Sequence, residues 1–239
     1  GKMKNSTKEI INEINTYRDE SKAIFLPRFF KTGKGEYGEG DQFIGVVVPN
    51  LRVIAKKYSD TDFDTLRELL ASPFHEYRLT ALLALTYRYA KLKDSTSREA
   101  IVNFYVSQVG AINNWDLVDL SCYKILGHWL FDKDKQLLYD WAKENHLWKQ
   151  RIAMISCMYF VKQGEFKDAL AIADFLQYHP HDLIHKAVGW ILREIGKKNE
   201  QVLVDYLTSR YKEMPRTMLR YAIERFEERK RKAFLYSKV

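Results

Sequence analysis

Cysteine is scarce in this chain, and the patterns that would put it to use are missing. The 239 residues include two, Cys122 and Cys157, each set in an apolar stretch. No CxxC occurs, which argues against a cysteine zinc site, and two thiols cannot make a disulfide framework. Both are expected as packed thiols in a reducing compartment. No apolar run approaches the ~18–20 residues that a membrane span needs. The opening Gly-Lys-Met-Lys-Asn-Ser is polar, so no secretory signal is expected; Gly1 ahead of Lys2 and Met3 reads as a cloning addition and is set aside. A GxxxxGK[ST] loop, a GxSxG elbow and an HExxH helix are all missing, which speaks against a P-loop nucleotide site, a serine hydrolase and a zinc hydrolase. Strand-like alternation is nearly missing too. The best strand candidate, Ile44 to Val48, is short and ends at Pro49.

What the chain does have is helical periodicity. Leu66, Leu69 and Leu70 lie on one stripe, as do Leu79, Leu82, Leu83 and Thr86, and later Val188, Ile191, Leu192 and Ile195. The five prolines (Pro27, Pro49, Pro73, Pro180, Pro215) fall between such segments or at their starts. Helix starts come in pairs. An opening helix follows Asp62, Ser95, Asp132, Glu165 and Asn199, and a second begins near Pro73, Asn114, Leu147, Pro180 and Pro215. Several of these starts carry the Asp, Ser or Asn that caps orphan backbone N–H groups. The second helices recur at roughly 33–41 residues, the range of helical repeat arrays. The expected fold is therefore all-α: a HEAT-like helical repeat solenoid, an α-α superhelix. Each repeat in such an array buries its apolar face on the next, so residues 1–239 are expected as a single domain with the second helices lining a concave side.

Charge is unevenly placed. Lysine plus arginine exceeds aspartate plus glutamate by 39 − 31 = 8. Residues 210–239 hold ten basic and four acidic residues, so six of the eight excess charges fall there. This suits a polyanion, nucleic acid first, and equally a solvated, charged terminal helix. Residues 31–45 gather five of the eleven glycines. They read either as a flexible connection or as a backbone-rich loop that closely approaches a phosphate or partner.

Two groups of residues carry potential chemistry. His179, His181 and His185 are close, and His181 and His185 could share a helix face, but carboxylate support for a metal is lacking. In Asn113-Asn114-Trp115-Asp116-Leu117-Val118-Asp119, Asn114 looks like an N-cap and Asp116 suits the first-turn dipole. Trp115 and Asp119, four apart, share a face. A carboxylate beside an indole needs a purpose: either an ion pair with a basic residue of the next repeat, or catalysis.

Four motifs, in order along the chain, resemble the AlkD-type DNA alkylation repair family of HEAT-like glycosylases. They are Trp-Asp-x-Val-Asp at Trp115 to Asp119, Trp-x-x-Arg at Trp148 to Arg151, Lys-Ala-Val-Gly-Trp-Ile-Leu-Arg-Glu at Lys186 to Glu194, and a Gly-x-x-x-Pro element within Phe43 to Pro49. The resemblance implies that Asp119 is the catalytic carboxylate, that Trp115 and Trp190 flank the lesion's deoxyribose, and that Arg151 assists. It implies a monofunctional DNA glycosylase that excises cationic N3- and N7-alkylated purines, 3-methyladenine and 7-methylguanine, from double-stranded DNA. It would work as a monomer, without metal or redox cofactor, in the bacterial cytoplasm on the nucleoid. The alternative it leaves is a non-catalytic DNA-binding member that recognises damaged or branched DNA. A protein-binding helical scaffold is a further alternative. Lys149, Lys186, Arg193 and Arg220, on or near second helices, are the expected phosphate contacts. The chain departs from the family pattern at Phe29, where Arg-Tyr becomes Arg28-Phe29, and at Val47, where Gly-Ile-Gln becomes Gly45-Val46-Val47. Its glycine-rich loop at 33–40 also looks longer, and the family engages the duplex without a separate base pocket.

Overall fold

The computed structural model describes residues 2–239; Gly1, set aside above, lies outside them. Every regular element among the described residues is helical. Contacts divide the chain after Ser121 into two compact units.

The first unit carries α1 (Asn5–Asn15), α2 (Glu20–Phe29), α3 (Val48–Lys57), α4 (Phe63–Leu70), α5 (His75–Lys91), α6 (Ser95–Ser107) and the short α7 (Trp115–Asp119). Asp62 caps α4, its carboxylate accepting from Thr65 N at 2.7 Å. Asp94 caps α6 in the same way through Ser97 N. The α4 stripe of Leu66, Leu69 and Leu70 is buried, as are Leu79, Leu82, Leu83 and Thr86 on α5. The 17-residue α5 is buried along most of its length and packs on α3 and α4. By contrast α2 buries none of its residues, and Ile24 and Phe25 on it are exposed.

Ile44 to Val48 is not a strand. Only Gln42 makes a bridge, to Phe74, and α3 begins at Val48 with Pro49 in its first turn, where a missing N–H costs nothing. The amides that a strand would offer to a neighbour go instead to one side chain. Ile44 N (3.1 Å), Gly45 N (2.7 Å) and Val46 N (3.0 Å) all donate to the buried Glu76 carboxylate on α5. Gly45 has φ +87° and lies so close to the Asp19 carbonyl and Ala23 amide of α2 that a Cβ would collide with both.

The second unit carries α8 (His128–Leu130), α9 (Gln136–Lys143), α10 (Leu147–Lys162), α11 (Lys167–Leu176), α12 (Asp182–Lys198), α13 (Glu200–Thr208), α14 (Arg216–Ala222) and α15 (Glu228–Leu235). A π-helical turn, Tyr123–Gly127, precedes α8. Here the paired pattern is plain: α10, α12 and α14 pack on one another in sequence, while α9 and α11 pack together and against α10 and α12. Val188, Ile191, Leu192 and Ile195 of α12 are fully buried. At Gly189 the α12 backbone comes so near α14 that a Cβ would sit 2.5 Å from Tyr221 Cβ and 2.7 Å from Met218 O. Asn199 caps α13 as expected. The helix expected after Asp132 starts later, at Gln136, because Asp134 rather than Asp132 accepts the orphan amide of Gln136 at 2.7 Å.

Candidate functional site

Helix α7 has only five residues, too few to hold itself by its own ladder. It is pinned from outside. Asn114 Oδ1 accepts from Trp115 N at 2.9 Å, and Asn114 Nδ2 donates to Asp41 Oδ2 at 3.3 Å. Just past the helix, the Ser121 and Tyr105 hydroxyls are 2.7 Å apart. The strongest tie is Asp116, whose Oδ2 accepts from His75 Nε2 at 2.8 Å. The other ring nitrogen, Nδ1, donates to Asp41 Oδ2 at 2.6 Å, and Arg78 Nη2 donates to Asp41 Oδ1 at 2.9 Å.

The result is a buried chain of charges running Arg78–Asp41–His75–Asp116. Burial alone would strip the proton from His75. Attraction to Asp116 and hydrogen bonds to Asp116 and Asp41 outweigh it and push the imidazole up to about 9. Burial opposes the Asp41 charge as well, but His75 and Arg78 hold that carboxyl below the usual range. The imidazolium is also packed between rings, 4.6 Å from Phe43 and 4.9 Å from Phe30, centroid to centroid. The glycine-rich segment therefore has a definite job: it delivers Asp41. Gly38, within it, sits against the Phe30 and Lys31 carbonyls where a Cβ would not fit.

Trp115 and Asp119, both half-buried, come together as the sequence predicts. They line one pocket of about 340 Å³, whose walls include Phe29, Phe30, Phe43 and Val47 and whose polar lining is His75, Glu76, Asp116 and Asp119. Phe30 stacks on Trp115 at 5.2 Å and Phe29 meets it edge-on at 6.0 Å. Both positions that depart from the family pattern, Phe29 and Val47, thus belong to this pocket. Asp116 is 6% exposed, and its Oδ1 is buried without a hydrogen-bond partner.

Arg151 and Trp190 belong to the second unit. Arg151, on α10, is 5% exposed and donates from Nη1 to Leu183 O at 2.6 Å. Trp190, on α12, is half-buried. Lys149 pairs with Glu144 at 2.8 Å, Lys186 with Asp182 at 3.0 Å, and Arg193 with Glu224. Arg220, on α14, is exposed. The three clustered histidines stabilise the start of α12. His181 Nδ1 caps Leu183 N, His179 Nδ1 accepts from His181 N while its Nε2 meets Gln150 Oε1 at 2.8 Å, and His185 bonds the His179 carbonyl. Burial and the neighbouring histidines hold His179 below its ordinary value, and burial does the same to His181.

Sequence reasoning missed His75, Asp41 and Glu76. The His-Glu pair directly after Pro73, at a helix start, was the available signal. Two ionisable groups opening a helix whose next turns are wholly apolar must be buried with it.

An all-helical chain that sets a carboxylate and an indole on one short helix beside an apolar pocket defines a helical-repeat protein with a candidate hydrolytic site. The chain belongs to the DNA alkylation repair enzyme family, whose model matches residues 10–226. Two solved structures share its fold. A predicted DNA alkylation repair enzyme from Enterococcus faecalis superposes with a TM-score of 0.68 at 14% identity, covering 88% of this chain and 97% of that one. AlkD2 from Streptococcus mutans superposes with a TM-score of 0.55 at 15% identity, covering 87% and 99%. No curated protein sequence matches the chain. No helix among the described residues is long and apolar enough to cross a membrane.

Proposed function

We propose that this protein is a monofunctional DNA glycosylase that releases N3- and N7-alkylated purines, such as 3-methyladenine and 7-methylguanine, from duplex DNA. Such bases already carry a positive charge and leave readily, so no strong general acid is required. As the C1′–N bond breaks, its electron pair neutralises the base and positive charge develops on the sugar. The Asp119 carboxylate stabilises that charge and orients the water that adds to C1′, which then loses its proton to leave an abasic site. Trp115 offers an electron-rich face to the same cationic sugar. The observation that carries this reading is the joint placement of Asp119 and Trp115 on α7, half-exposed at one pocket and held there by a network independent of either side chain.

Trp190 is proposed as a second indole for the reaction. Arg151, buried and tied to the Leu183 carbonyl, is proposed as a positioning residue. Lys149, Lys186, Arg193 and Arg220 are proposed to meet phosphates from a concave face of the repeat array. We place the protein in the bacterial cytoplasm, acting on the nucleoid as a monomer. The test is base release from methylated duplex DNA by wild type and Asp119→Asn side by side. Release that Asp119→Asn abolishes supports the assignment, and equal release by both refutes it. A gel shift with no base release favours the non-catalytic DNA-binding alternative, to which Phe29 in place of tyrosine lends some support.

A further inference from the structure

The pocket beside Asp119 is larger and better equipped than stabilising a sugar requires. Its volume, about 340 Å³, falls within the range of small-molecule sites, roughly 300–1,000 Å³. Its walls are largely aromatic, with Trp115, Phe30 and Phe43 stacked in a row, so they favour a flat ring. Its charge is lopsided. Asp41, Glu76, Asp116 and Asp119 stand at or next to the pocket, against two bases, His75 and Arg78, a formal excess of two negative charges.

Most of these groups are fully engaged. Glu76 accepts three backbone amides, and His75 uses both ring nitrogens. Asp116 is different. One oxygen holds His75, while the other, Oδ1, is buried with no partner, an arrangement that costs stability unless something else satisfies it. An unmatched acceptor in an acidic, aromatic-walled pocket calls for a flat cation that bears N–H groups.

We infer that this pocket binds the alkylated purine itself, with the cationic ring against Trp115 and Phe30 and an N–H of the base donating to Asp116 Oδ1. The inference rests on the glycosylase reading and deepens it. This chain engages the base as well as the sugar, and it departs from the family pattern at Phe29 and Val47 because those positions wall the pocket.

The probe is 7,9-dimethylguaninium, a stable cation whose N9 methyl replaces the sugar. The control is 9-methylguanine, which has the same N–H groups without the charge. Both are titrated calorimetrically into the free full-length protein near pH 6, where the probe keeps its N1 proton. Binding of the cation about tenfold tighter than the neutral base is expected, the equivalent of one favourable desolvated cation–π contact. Asp116→Asn keeps the shape and an acceptor for His75 but turns the orphan position into a donor, and it should erase the preference. Val47→Trp fills the pocket and should weaken both ligands by about tenfold or more. Near-UV circular dichroism confirms that each variant is folded. No binding by wild type, equal binding of the two bases, or a preference that survives Asp116→Asn overturns the inference. Base release from methylated DNA without probe binding removes the pocket and leaves the glycosylase standing. Probe binding without release does the reverse.

Discussion

Raising the pH should unfasten the first unit at His75. The imidazole has an ordinary value of 6.5 and is pushed up to about 9 in the fold. A group whose value rises on folding stabilises the protein fully below its unfolded value. That contribution is lost as pH climbs through the folded one. The relevant window therefore runs from about pH 6.5 to above pH 9. At about 1.4 kcal/mol per pH unit, the gap corresponds to about 3 kcal/mol. His75 is 2% exposed, so little solvent screening reduces this figure. The charged groups around it are Asp41 and Asp116, which it contacts, with Arg78 beyond Asp41 and Glu76 next to it in the chain. Urea unfolding at a series of pH values, for wild type and His75→Gln, isolates the effect, because other titrating groups cancel in the difference. Wild type should exceed the variant by most at pH 6 and lose about 3 kcal/mol of that lead by about pH 10. Parallel stability curves would refute a protonated His75 clamped between two carboxylates.

Asp119→Asn should lower base release by about 10²–10³-fold with little change in duplex affinity, measured by single-turnover kinetics alongside a binding assay. Glu76→Gln should destabilise the fold by about 3 kcal/mol in urea unfolding, because its new NH₂ group must face an amide donor from Ile44, Gly45 or Val46. Gly189→Ala should cost about 1–3 kcal/mol by the same measurement, since the added methyl meets Tyr221 and the Met218 carbonyl. If the four proposed cations each neutralise one phosphate, a fourfold rise in salt should weaken duplex binding about a hundredfold, and Arg220→Ala should reduce the slope by about one.

The helical core was legible because its signal is local. The stripes on α4 and α12, and the caps at Asp62 and Asn199, depend on residues within one or two turns, and the structure buries or bonds them as the periodicity requires. The Trp115–Asp119 face was legible for the same reason. What was not legible depends on distant partners. Ile44 to Val48 is apolar and β-branched like a strand, but its amides are claimed by a carboxylate about thirty residues on. His75 lies 34 residues from Asp41 and 41 from Asp116, and each alone passes for a solvated charge. Asp116 was rightly placed in a first helical turn, yet the dipole argument gives no hint of the imidazolium that holds it. The histidines at 179, 181 and 185 mislead in the opposite direction: their spacing suggests ligands, while their ring nitrogens cap and brace a helix start.

Two aspartates three positions apart on α7 show how the fold assigns roles to like groups. Asp116 faces inward, and its bond to His75 fixes the short helix against α5. Asp119 is left half-exposed at the pocket. Since α7 is too short to stand alone, the position of Asp119 is inherited from Asn114, Asp116 and the Ser121–Tyr105 contact. The glycine-rich segment enters the same chain of dependence. It supplies Asp41, Asp41 helps to keep His75 protonated, and His75 holds Asp116. A substitution in that segment, far from any reacting atom, therefore acts on the carboxylate through four residues in series. Removing the His75 proton acts at the middle of that series, so stability and the placement of Asp119 decline over the same pH range.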